Sequence, residues 1–217
     1  MSQTGEPDAA HQKIGIAFAD IFSGLYGVIG IQAALAEREK SGLGQQIDIA
    51  LFDCMTGVLA NQAMNYLATG QAPRRLGNAH PNIVPYQTFP TSDGHIIIAG
   101  GNDRQFQSLC DVLGALQIAG DQRFQQNPDR VANRKALTAL LTNLLFGWTK
   151  AEILEALEAA EVPAGPINDV KEALTDPQIV HRGMLISPKG VSGIRTPITF
   201  SRSRLILDKA SPAKPDT

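Results

Sequence analysis

Between Gln71 and Pro85 the chain carries Pro73, Gly77, Pro81 and Pro85. Proline lacks an amide hydrogen and fixes φ, so neither a long helix nor a central strand runs through prolines at this spacing. The chain must break there. The segment reads as an ordered loop or linker between two lobes, and everything else is arranged around it.

Before the break, the apolar positions Phe22, Leu25, Tyr26, Ile29, Ala33 and Ala36 follow helical spacing from Asp20 to Lys40. Glu37–Lys40 gives a solvated end, and Gly42 supplies a stop. Gln46 to Leu51 alternates polar and apolar, the pattern of a half-buried strand. Asp53 opens a second helix that ends near Gly70. After the break, Tyr86–Pro90 and His95–Ala99 read as a hairpin around Ser92-Asp93-Gly94. Helical patterns follow at 103–113, 131–147 and 150–160, the last opened by a Thr149/Glu152 capping box. Pro163–Pro166 breaks that helix, and two short helical pieces lead to His181. From Gly183 the reading is irregular strands, including Thr199–Phe200, then a disordered polar tail with Pro212 and Pro215. Residues 1–14 are polar and turn-rich, and read as a loop. The divisions are therefore 1–70, 71–85, 86–185 and 186–217.

The 217 residues are 43% hydrophobic and 18% charged, enough apolar material for a packed core. With a net charge of -2 and scattered Lys and Arg, the chain has no basic stripe for nucleic acid. Cys54 and Cys110 lie in apolar helical patterns, which suits inert buried thiols in a reducing compartment. His11, His80, His95 and His181 show no metal-ligand spacing, so no metal is expected. The opening MSQTGEPDAAHQKIG lacks the apolar run of a secretory leader, and the longest apolar stretch reads as too short for a bilayer. A soluble, cytoplasmic protein with no membrane contact is the expectation.

Three places hold residues able to do chemistry. Asp20 stands where the apolar stretch Ile14–Ala19 meets a helix start, near unpaired backbone amides that favour an anion. A plain helix cap explains it as well. Gly24, Gly27 and Gly30 repeat inside the following helix, each costing about 1 kcal/mol relative to alanine. Close approach of a ligand and close helix packing both account for that cost. The loop Gly77-Asn78-Ala79-His80-Pro81-Asn82 combines backbone freedom with polar donors, although a simple lobe linker would look the same. Gly100-Gly101-Asn102-Asp103 fails the dinucleotide spacing, and Asp103, Asp169 and Asp176 read as helix caps. Arg74 and Arg75 would suit a carboxylate or phosphate, or solvate a surface.

Three stretches, taken in register, resemble the class III coenzyme A transferase family, also called CaiB/BaiF. They are KIGIAFADIFSGLYGVIGIQAALAEREKSGLGQQIDIALFD, NYLATGQAPRRLGNAHPNIVPYQTFPTSDGHIIIAGGNDRQF and LEAAEVPAGPINDVKEALTDPQIVHRGM. The resemblance implies an α/β fold in which 1–70 is part of a large nucleotide-binding-like domain carrying the nucleophile. In the same scheme 71–85 is linker and active-site loop, 86–185 is a small α+β domain, and 186–217 is a return linker and tail. It implies transfer of CoA from an acyl-CoA to a carboxylic acid through an aspartyl-CoA thioester on Asp20, with Gly77–Asn82 as the substrate loop. The CoA thioester is a substrate, and no cofactor is implied. Family members are longer, interlocked homodimers, and their N-terminal half has no counterpart here, so the 217-residue chain alone is expected to be inactive. Two other readings remain: a 2-methylacyl-CoA racemase of the same family, with Asp103 aligned to its later acid, and a non-catalytic truncated remnant.

Overall fold

In a computed structural model, residues 1–210 and Pro212 are described. The chain opens with turns and then forms α1 (Phe18–Ser41), α2 (Leu51–Gly57) and α3 (Ala60–Thr69). Gly42 ends α1 at φ 73°, its amide donating to the Arg38 carbonyl, and Gly70 ends α3 in the same left-handed conformation. The alternating residues after Gly42 form no strand. They run extended beside α1, with Ile47 and Ile49 facing Gly30 and Gly27. A strand exists only when a neighbour takes up its amides and carbonyls, and the described residues offer it none. Close packing thus accounts for two of the three glycines, while Gly24 faces open space.

The second lobe is built on a sheet of order β1-β2-β3: β1 (Tyr86–Thr91), β2 (Gly94–Ala99) and β3 (Ala164–Pro166), all antiparallel. The hairpin lies where the alternation places it. Pro163–Pro166 does break the preceding helix, yet it goes on to form the third strand, a role that prolines permit at a sheet edge. Five helices fill the interval: α4 (Asp103–Val112), α5 (Leu116–Gly120), α6 (Asn127–Ala132), α7 (Arg134–Leu145) and α8 (Lys150–Ala159). The pattern read as one helix over 131–147 is split at Asn133, which departs from helical geometry at φ -105° and ψ 22°. That bend turns Arg130 inward while Leu137, Leu141 and Leu145, each four residues apart, face the core.

The core is one cluster: Phe89, Ile96 and Ile98 from the sheet meet Phe106 and Leu109 of α4, the α7 leucines, and Ile153 and Leu157 of α8. It runs from Val84 to Val162. Among the described residues Cys54 is the one buried side chain before Val84, and none follows Val162. The capping boxes at Thr149/Glu152 and Asp169/Glu172 are present, and Asp176 accepts from the Gln178 amide. Asp103, expected to cap α4, does not: the cap is Asn102, and Asp103 is the first helical residue. Two short helices, α9 (Val170–Thr175) and α10 (Pro177–His181), and a small ladder of β4 (Leu185–Ile186) with β5 (Gly193–Ile194) complete the described chain. Thr199–Phe200 is not a strand, having no paired neighbour. The tail reading falls outside the described residues except at Pro212.

One expectation fails on length. Helix α1 has 24 residues, about 36 Å at helical rise, and is long and apolar enough to cross a membrane by length and composition. Its Gly, Ser and Gln residues, read as interruptions, are tolerated within one continuous helix.

Candidate active site

Asp20 lies in the first turn of α1 and is exposed. It is not the helix cap. That position belongs to Ala17, which has no side chain to offer, so the carboxylate remains uncommitted. The amides of Phe18 and Ile21 donate to Ile16 and Ala17, whereas those of Ala19 and Asp20 find no backbone acceptor among the described residues. A helix start with free amides carries partial positive charge and favours an anion beside it. Asp20 lines a cavity of about 460 Å³ together with Lys13, Phe18, Met55 and Leu59, and the opening residues of the chain form one wall. A nucleophilic carboxylate needs this combination of access and freedom from competing partners.

The loop 77–82 is held from both sides. Gly77 adopts φ 63°, where a residue with a side chain is strained, and the movable Glu6 carboxylate lies 2.9 Å from where a Cβ would stand. Its amide donates to the Gly5 carbonyl at 3.1 Å. The Asn78 Oδ1 accepts from the Thr88 amide at 2.9 Å. His80 stacks on Tyr86 with centroids 5.1 Å apart, and its Nδ1 accepts from the Asn82 amide at 3.2 Å. Partial burial, then the nearby Arg134 guanidinium, holds its imidazole below the usual histidine range. Asn82 exchanges two side-chain hydrogen bonds with Asn65 of α3, both at 3.0 Å. The Pro81 and Asn82 carbonyls accept from Arg134 and Asn127. Ala79 is the loop residue whose contacts are purely local, its amide donating to Leu76. The Val84–Pro85 peptide that follows is cis.

Asp20 and this loop do not share a cavity: none of residues 77–82 lines the space in front of Asp20. The two sequence candidates are each well formed and stand apart. Of the arginine pair, Arg75 is consumed by structure, donating to the carbonyls of Glu6, Pro7 and Ala9 and meeting His11 Nδ1 at 2.8 Å. Arg74 is exposed. Burial pushes the Cys110 thiol up to about 11, so it is no nucleophile near neutral pH.

The residue that sequence reasoning missed is Arg130. Its side chain is fully buried, lies 4.5 Å from the centre of the Phe106 ring, and pairs with Asp103 at 2.7 Å. It also donates to the carbonyls of Val84, Phe124 and Gln125. Nothing in the run NPDRVANR marks this arginine as internal. Its fixed role also commits Asp103, the acid on which the racemase reading depends.

The model of CoA-transferase family III matches residues 1–216. The chain belongs to CoA-transferase family III. Among family III relatives, it is 48% identical over 217 residues to a succinate–glutarate CoA-transferase of Agrobacterium fabrum, covering 98% of this chain and 54% of that one. It is 40% identical to an acetyl-CoA:oxalate CoA-transferase of Acetobacter aceti, covering 93% of this chain and 52% of the other. A crystal structure of a CaiB/BaiF family protein from Brucella suis superposes with a TM-score of 0.82 at 59% identity, over 98% of this chain and 56% of that one. The chain therefore spans about half the length of the family III relatives it matches. Its mixed α/β fold is the family's.

Proposed function

We propose that this chain is the Asp20-bearing part of an enzyme that transfers coenzyme A between carboxylic acids, with Asp20 as the nucleophile. The observation that carries the reading is the exposed, uncommitted carboxylate in the first turn of α1, at the wall of a cavity. An Asp20 oxygen attacks the thioester carbonyl of the donor, forming a mixed anhydride and expelling CoA thiolate. The thiolate attacks the aspartyl carbonyl, giving an aspartyl-CoA thioester and releasing the donor acid. The acceptor carboxylate then attacks that thioester, forming a second anhydride and freeing the thiolate again. Thiolate attack on the acceptor's acyl carbon yields the new acyl-CoA and restores Asp20. Carboxylates are weak nucleophiles, so binding beside the activated acyl group supplies most of the advantage. The free amides of Ala19 and Asp20 are suited to the oxyanions that form at each step.

No cofactor enters these steps. Small dicarboxylates, the substrates named for the Agrobacterium relative, are the acids we assign. In this reading 1–70 is part of a large α/β domain, 71–85 is linker and substrate loop, and 86–185 is a small α+β domain. The active species is a cytoplasmic, interlocked homodimer that includes the family's other half, which would carry the loop and Asp20 into one site. The 217-residue chain alone is then inactive, and turnover by it would refute that part. Trapping tests the chemistry. The chain, joined with the N-terminal half of a close relative, is incubated with succinyl-CoA and treated with borohydride. Mass spectrometry is expected to find homoserine in place of Asp20, and modification at another residue would end the assignment.

A second reading has its own observation. Residues 1–70 bury only Cys54, as a non-catalytic remnant would. Calorimetry separates the two, because a remnant shows no CoA binding even after the other half is restored.

A further inference from the structure

Residues 81–84 thread past three side chains of the α6–α7 segment, each of which reads a backbone carbonyl. Arg134 Nη2 donates to Pro81 O at 2.9 Å, Asn127 Nδ2 to Asn82 O at 2.8 Å, and Arg130 Nε to Val84 O at 2.7 Å. Asn127 also accepts from the Val84 amide at 3.1 Å, so its side-chain amide holds this segment through both its donor and its acceptor. The donors at 127, 130 and 134 sit on either side of the bend at Asn133, and all reach residues 81–84, so they lie along one side of the segment. Arg130 belongs to the core. The other two do not: Asn127 and Arg134 lie at the edge of the lobe, and their long-range side-chain bonds go to this loop. Arg134 Nη1 is enclosed without a partner, a cost that a surface arginine free to move into water would not bear.

We propose that Asn127 and Arg134 are positioning residues that hold the 77–82 loop in the backbone conformation used for CoA transfer. They act through the carbonyls of Pro81 and Asn82, at the end of the loop away from Gly77. The proposal deepens the transfer reading and rests on it for its purpose, but the clamp itself is measurable without substrate. Carbonyl recognition from a helix fixes a loop whatever its side chains, so the entropic cost of ordering the turn is met on folding rather than on substrate binding.

Hydrogen exchange with mass spectrometry on the 217-residue chain tests it, comparing the wild type with Arg134→Gln, Arg134→Lys and Asn127→Ala. The expected result is about tenfold faster exchange in peptides covering 77–85 for Arg134→Gln and Asn127→Ala, the equivalent of one lost hydrogen bond. Peptides covering Leu137–Leu157 should stay unchanged. Arg134→Lys should restore most of the loop protection, because an ammonium still reaches a single carbonyl. The imidazole signal of His80 gives an independent signature: its titration midpoint should rise in Arg134→Gln, which removes the neighbouring cation, and return in Arg134→Lys. Unchanged loop exchange in both Arg134→Gln and Asn127→Ala overturns the proposal. So does acceleration spread equally over loop and core, which would make these residues part of general stability. In the restored enzyme, absent wild-type turnover counts against CoA transfer alone, whereas full turnover in Arg134→Gln with a loosened loop counts against the positioning role.

Discussion

At the residue scale the chain's largest single commitment is Arg130. A guanidinium with no solvent access satisfies three carbonyls, one at Val84 and two at Phe124–Gln125, while its ionic partner Asp103 keeps 51% of its side chain in water. Arg130→Ala strands those carbonyls and removes the aromatic contact, whereas Asp103 can rehydrate. The expected loss is about 3 kcal/mol in denaturant unfolding, and a loss below about 1 kcal/mol would show that water replaces the side chain. Glu161 presents the opposite case. It ends α8 at φ 56°, a conformation that costs a residue with a Cβ about 1 kcal/mol and costs glycine nothing. Its ion pair with Arg104 is widely exposed on both sides, at 80% and 75%, and contributes little. Glu161→Gly should therefore raise the unfolding midpoint, and a lower midpoint would mean that the pair matters more than the backbone.

At the scale of elements, those set by local signals were legible. Gly42 and Gly70 as stops, the Thr149/Glu152 box, the 86–99 hairpin and the break at Pro163 all follow from backbone chemistry within a few residues. Several of the failures share a cause: they depend on neighbours distant in sequence. Gln46–Leu51 alternates properly but has no strand beside it, Ala164–Pro166 becomes a strand because β2 lies open to it, and the bend at Asn133 accompanies an Arg130 side chain held by Val84, Phe124 and Asp103. The site divides in the same way. Asp20 was visible as a helix-start carboxylate, while the donors that grip the loop were not, since carbonyl recognition leaves no mark in composition. The loop also carries a pH signature. The folded state holds His80 below its reference value of 6.5, because burial and Arg134 oppose the imidazolium. Unfolding therefore takes up a proton as the pH falls through about 6.5, so stability is full above that value and declines below it, toward the lower folded value. Denaturant midpoints between about pH 7.5 and about pH 5 should fall less steeply in His80→Gln than in the wild type. Identical slopes would remove His80 from the account.

The whole molecule is lopsided. Residues 84–162 enclose a complete core, while α1 leaves Ile21, Leu25, Val28, Ile29 and Ile31 between 49% and 63% exposed along a 24-residue helix. Exposed apolar surface on that scale marks a contact face. A chain spanning about half of its relatives' length leaves room for the segment that would cover it. The expected behaviour is concentration-dependent self-association and strong binding of an apolar dye, both abolished by adding the part of a relative that this chain does not match. Dye binding that persists in the joined species would assign the face to something else.

The order of synthesis gives this imbalance a further meaning. During synthesis residues 1–70 leave the exit tunnel before residues 84–162, with apolar helices that bury only Cys54. The part able to collapse by itself arrives afterwards, and cannot close until Leu157 and Val162 have emerged to complete its interior. Until then the 217-residue chain leaves the apolar positions of α1 open to whatever binds apolar helices, so the yield of this chain made alone should depend on chaperone supply more than on the stability of its finished lobe.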